Sequence, residues 1–265
     1  MSFYFLKFPM ADDEPVVVTK DRGFLQDLAG YVGSKLPPQV SQIAKISQLS
    51  EEDIKKGLKE ALQKGIEKAV SQVSVDNGYY RDKAIRILLP PEAETITKNI
   101  SKLPHGDELI DNVIKNMNAA ASDAAKEVTP IFIDAIKSIN IQDAKNILLG
   151  EERAATMYFK DKTNERLKGL FQPKIDESMN KKIVGDYSAA SSWSSLMTQW
   201  NKLASSTIGK IAKLKEVDTD ITSYVTTKAM DGLFTKIGDE EKEIRSNLNE
   251  QTTELLRKVF GALLK

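Results

Sequence analysis

The sequence predicts an all-α protein, an irregular bundle of about nine to eleven helices with a short extended N-terminal arm. Two observations carry that class. Apolar residues recur every three or four positions over roughly two thirds of the chain, against about one third in an ordinary domain. Helix-start and helix-stop residues punctuate those stretches at regular places. No period of 20–50 residues repeats, so a stacked solenoid is not expected.

In chain order, residues 1–49 are the least regular. FYFLKF and PVVVT are rich in β-formers and read as an extended arm, and Pro37-Pro38 closes a weak helical pattern. Ser50-Glu51-Glu52-Asp53 resembles a capping box and opens a strong helix, with Ile54, Leu58, Ala61, Leu62, Gly65, Ala69 and Val73 along one face. Asp76-Asn77-Gly78 is a turn, and Ala84 to Leu89 is a short β-like run stopped by Pro90-Pro91. A helix over about 92–102 follows.

The helix opening at Asp107 begins with large apolar residues and then thins to Ala119, Ala120, Ala121, Ala124 and Ala125, a segment a neighbouring helix can approach closely. Thr129-Pro130 reads as an N-cap with proline at the first helical position. Asn140 opens a short helix ending at Gly150, expected as a left-handed C-terminal residue. Another helix runs from Glu151 to Leu170, and Pro173 is expected to separate it from the next. A longer helix is expected near 191–215, then one capped by Asp218 or Asp220, with Gly238 dividing it from a last helical region at 239–264. The domain reading is an arm over 1–49 and one helical domain over 50–265.

Composition narrows the function classes. Lys+Arg and Asp+Glu are both 38, giving a formal net charge of zero. A basic footprint for nucleic acid is therefore missing, and no nucleic-acid partner is expected. There is no cysteine and one histidine, which excludes disulfides, thiolate catalysis, Cys-based metal sites and HExxH. Neither metal nor cofactor is expected. No apolar run reaches the roughly 20 residues of a membrane span. At the N-terminus, Lys7 and Pro9 interrupt the apolar stretch and three acids follow, unlike the unbroken core of a secretory signal. The default compartment is the cytoplasm.

Several constellations are candidates for a site. Trp193 and Trp200, seven apart, face one way and suit the floor of a pocket for a flat apolar ligand, or simply core. Tyr224, Lys228 and Asp231 share a helical face, at a spacing by which lysine acidifies tyrosine in some reductases. No G-x-G-x-x-G follows a strand, so a structural polar network is the preferred reading. Asp239, Glu240, Glu241 and Glu243 crowd an expected helix start, where the dipole favours acids, and Glu241 to Arg245 reads as an ordinary i,i+4 pair. Lys162 and Arg166 near an apolar stripe suit an anion in a cleft, with snorkelling as the plain alternative.

An ordered set of segments resembles a known family. It includes Gly57 to Leu62, Ile87 to Pro90, Met117-Asn118 with its alanines, Pro130-Ile131-Phe132, Asp143 to Leu148 with Gly150, and Ala155-Thr156-x-Tyr158-Phe159. Phe171-x-Pro173, Tyr224-Val225-Thr226, Lys228 to Phe234, Ile237-Gly238-x-Glu240-Glu241 and Lys258 to Gly261 continue it. Together these resemble the domain of unknown function 4197, mainly bacterial, over roughly residues 50–262. The resemblance implies a helical fold and no assigned activity. The family's Arg after Met-Asn, and its Glu three residues on, are here Ala119 and Ser122. Many members look exported, so the family does not support the cytoplasmic default.

The expected function is a non-enzymatic binding or interaction protein that holds a small hydrophobic or anionic ligand between helices, or a protein partner. An enzyme using polar residues of the central helices and a scaffolding role are the alternatives. The candidate ligand-binding residues are Asn118, Asp143, Thr156, Tyr158, Lys162, Trp193, Trp200, Tyr224, Lys228 and Asp231.

Overall fold

A computed structural model of the chain describes residues 45, 46, 48–101, 105–142, 144–218 and 220–264. Most of the expected arm, to residue 44, lies outside them, as does Asp143. Ser50–Leu264 forms one compact unit. Among the described residues it is all-helical, with eleven α-helices and three short 3-10 turns, and it has no strand.

The first helix, α1 (Glu51–Val73), starts where its cap predicts: the Ser50 side chain accepts from Asp53 N, and three acids sit in the first turn. A short α2 (Gly78–Arg81) follows the turn, with Asn77 in the left-handed region. Gly78 is obligatory here, because a Cβ on it would lie 2.2 Å from the Val73 carbonyl oxygen. The β-like run forms no strand. Ile87 is held from one side by the Asn118 amide, and no second strand is needed.

After α3 (Glu94–Ile100), the alanine-rich helix α4 (Gly106–Ala125) buries Ala119, Ala120, Ala121, Ala124 and Ala125 and packs against the long helix α7 (Ala154–Asn180). The next helix, α5 (Val128–Ser138), begins before the expected cap. Only two residues separate it from α4, so Thr129 and Pro130 fall inside its first turn, where the missing proline N–H leaves no bond unmade. The short α6 (Ala144–Leu149) ends at Gly150, which is not left-handed. Space there is tight: a Cβ would stand 3.0 Å from the Ala154 Cβ and 3.1 Å from the Asn146 carbonyl oxygen, so a larger residue would have to push its neighbours aside by a few tenths of an ångström.

Two expected breaks are absent. α7 runs straight through Pro173, because Phe171, Ile175 and Met179 on either side are buried and their packing outweighs one lost backbone bond. The residue whose carbonyl the proline ring crowds is Gly169, around which there is open space. Likewise α10 (Thr222–Ser246) continues through Gly238, where the absent side chain admits the stem of Arg153. Asp220 does act at the start of α10, accepting from Thr222 N at 2.8 Å. The expected 191–215 helix is instead α8 (Ala189–Ser205) and a one-turn α9 (Thr207–Ile211), divided by Ser206, whose hydroxyl accepts from Gly209 N. α11 (Glu254–Phe260) returns to α1, and Val259 fills the notch left by Gly57.

α10 is the central element, lying along α1 and α7. Phe132, Phe159 and Phe234, from α5, α7 and α10, meet edge to face or tilted with centroids 5.6–6.1 Å apart. At the end of α2 Asp82 pairs with Lys236 of α10, and that partner, followed by the Ala84 amide, lowers the Asp82 pKa despite partial burial. A depressed pKa adds stability that is present above the unfolded value near about 4 and is lost as pH falls through the folded value. Asp82→Asn is therefore expected to cost about 1 kcal/mol at pH 7, with the two proteins converging below about pH 4 in urea titrations. A difference that persists unchanged at pH 3 would show that the charge is not its source.

Candidate functional site

A buried polar cluster joins α6, α7 and α10. Glu241 is 1% exposed and Arg245 8%. Their spacing on α10 stacks them, and Arg245 Nε donates to Glu241 Oε1 at 2.8 Å. Glu241 also faces the N-terminus of α7. Its Oε1 accepts from Ala155 N at 3.0 Å, and its Oε2 accepts from Thr156 N and the Thr156 hydroxyl, both at 2.7 Å. Arg245 faces the other way, donating to the carbonyls of Leu148 at 2.7 Å and Ile147 at 3.0 Å at the end of α6.

One carboxylate thus satisfies the free amides of a helix start and one guanidinium the free carbonyls of a helix end. Each charge suits the dipole it meets. Every oxygen of Glu241 and every nitrogen of the Arg245 fork has a partner within the protein, so the cluster ties three helices together.

The described candidate residues bond to several different parts of the chain. Asn118 is fully buried and holds Ile87: its Oδ1 accepts from Ile87 N at 2.8 Å, and its Nδ2 donates to the carbonyls of Ile87 and Ile114. Thr156 belongs to the Glu241 cluster. Tyr158 donates to Asn140 O and accepts from Gln142 N, closing the loop before α6. Lys162 is exposed, paired with Asp161, and lies above the Tyr158 ring. That partner raises its pKa.

Trp193 and Trp200 are buried, and each indole N–H ties down the returning segment, on Asp218 O and Lys215 O. Tyr224 donates to Leu88 O, and Lys228 lies 5.9 Å from the Tyr224 ring centroid. Asp231 pairs instead with Lys160 on α7 at 2.7 Å. Among the described residues no group of three or more His, Cys, Asp or Glu side chains is arranged to hold a metal ion. No described helix is long and apolar enough to cross a membrane.

A surface depression of about 480 Å³ lies at the turn after α1, between Gln72, Asn77, Arg81 and Asp82, and none of the ten candidates lines it. A second surface feature was missed by sequence reasoning. At the end of α8 and on α9, Ile208 is 73% and Ile211 78% exposed, with Leu203 beside them in sequence and also exposed. Lys202, Lys210, Lys213 and Lys215 in the same stretch are exposed and form no ion pair among the described residues. The available signal was Ile208-x-x-Ile211 after a serine cap, concealed by the assumption of one continuous helix.

The local chain is built rather than frayed. A Cβ on Gly209 would lie 2.1 Å from the Leu203 carbonyl oxygen, so α9 folds tightly onto the end of α8 and turns its isoleucines outward. Asn201 clamps the return, donating Nδ2 to Val217 O and accepting Val217 N on Oδ1. Leu214 N donates to Gly209 O at 2.9 Å and closes the loop.

No curated protein and no solved structure gives a significant match to this chain. A family model does, over residues 48–261, and it is described as a protein of unknown function (DUF4197). That match covers most of the chain, from the start of α1 to the end of α11, including both partners of the buried ion pair: the chain belongs to the DUF4197 family.

Proposed function

We propose that this chain is an interaction protein that works through its surface, at the end formed by α8 and α9, rather than by a reaction in a cleft. The observation carrying this reading is the pair of highly exposed isoleucines, Ile208 and Ile211, on a tightly closed turn among lysines that pair with no acid among the described residues. Exposed aliphatic side chains on a rigid turn favour contact with a partner, because the apolar area is already ordered and only has to be covered. The engagement of Asn118, Thr156, Glu241 and Arg245 with neighbouring backbone supports the same reading, since groups already bonded are poorly placed to bind substrate.

The test is a photo-crosslinking amino acid placed at Ile208, and separately at Glu67 on the exposed face of α1, in cells that make the protein. An adduct from position 208 and none from 67 is the expected result. Equal labelling at both positions, or no adduct from 208, would sink the proposal.

A further inference from the structure

We infer that the partner of the α8–α9 end is an anionic lipid surface, an inference that rests on the interaction reading above and specifies its occupant. Residues 201–215 contain Lys202, Lys210, Lys213 and Lys215 and no acid, in a chain whose overall charge is zero. The positive charge is therefore a local excess, and Glu216 is the first acid after it.

Shape and composition point the same way. Ile208 and Ile211 lie on a turn folded over a helix end, so the apolar surface projects outward. A headgroup layer admits such a projection without a preformed socket, whereas a protein partner would need a matching pocket. Protein interfaces are also depleted in lysine and enriched in aromatic residues and arginine, and this stretch has lysines and aliphatics and no aromatic, the preceding Trp200 being buried. Aliphatic side chains entering the acyl boundary with lysines at phosphate level are the ordinary arrangement of a peripheral membrane contact.

Residues 201 and 217 clamp the loop from within, and Gly209 closes it without a side chain. The isoleucines are thus held outward before contact, and little ordering is needed on binding. The contact is peripheral: Thr207–Ile211 is one turn of helix, far shorter than the roughly 20 residues of a span.

The experiment is flotation of the full chain with vesicles of phosphatidylcholine alone or mixed with phosphatidylglycerol, at low and high salt. The chain is expected to float with the anionic vesicles, less so at high salt, and to remain unbound with the neutral ones. The triple variant Lys202→Glu/Lys210→Glu/Lys213→Glu should lower partitioning by about 100-fold or more. Ile208→Ser/Ile211→Ser should lower it by at least about tenfold. All these side chains are exposed, so thermal melts of the variants should match the parent.

Equal binding to neutral and anionic vesicles, or variants that float as well as the parent, would overturn the inference. Absence of flotation with position 208 still crosslinking to a protein would remove the lipid and leave the interaction reading standing. Absence of both would remove the two together.

Discussion

Replacing either member of the Glu241–Arg245 pair by alanine is expected to lower unfolding free energy by about 3–5 kcal/mol, because the remaining charge stays buried without its partner. Arg245→Ala leaves the Glu241 carboxylate with only neutral donors from Ala155 and Thr156, and frees the Ile147 and Leu148 carbonyls at the end of α6. Glu241→Ala leaves the guanidinium facing carbonyls and the Phe260 ring, and uncaps the long helix α7. A domain's stability is about 5–15 kcal/mol in all, so either change removes a large share of it.

The double variant separates ion pairing from helix capping. Glu241→Leu with Arg245→Met removes both charges, and only the capping bonds to α6 and α7 are then lost. It should cost about as much as either of its own single changes, Glu241→Leu or Arg245→Met, and far less than their sum, a coupling of more than about 1 kcal/mol in a urea-denaturation cycle. Strict additivity would mean that the two side chains act independently and that the pairing at 2.8 Å adds nothing.

Why the sequence concealed this cluster follows from where it misled. Gly238 looked like a helix end, which put Glu240 and Glu241 in an apparent first turn where acids are commonplace. In the folded protein Gly238 is mid-helix, and the carboxylate of Glu241 serves a dipole, but that of α7 rather than its own helix. Local pattern reading registers the i,i+4 spacing of Glu241 and Arg245 but not their burial, which depends on the approach of α6 and α7 from almost a hundred residues earlier in the chain. The same limit explains Pro173 and Ser206: the former is overridden by burial on both sides, and the latter breaks a helix whose apolar rhythm continues beyond it.

What was legible was governed by local chemistry. Ser50 caps α1, the alanines of α4 are buried, and the all-helical class holds among the described residues because its 3.6-residue period extends over long segments. Trp193 and Trp200 show where legibility stops. Their spacing gave one shared face, and nothing local indicated that each indole N–H would bond a carbonyl of the 215–218 return rather than a ligand.

Asn118 is expected to be the other costly position. Its amide substitutes for a neighbouring strand, satisfying the N–H and the carbonyl of Ile87, itself buried, while its second donor bonds Ile114 O in its own helix. Asn118→Leu keeps a similar volume and leaves both Ile87 groups unpaired, for a cost of about 2–4 kcal/mol. Asn118→Asp is the sharper test. Its ionised carboxylate accepts from Ile87 N but faces two carbonyl oxygens, so burial and repulsion raise its folded pKa above the unfolded value near about 4. A raised folded pKa means the stabilising contribution is complete below the unfolded value and is lost as pH rises through the folded one. The Asp variant should therefore lie well below the parent at pH 7 and regain most of the gap by about pH 4, where the neutral acid donates to one carbonyl. The Leu variant should show no such recovery. If the two variants follow the same pH profile, the amide's donor side does not hold Ile87, and the bonds from Asn118 are a consequence of the packing of α4 rather than its support.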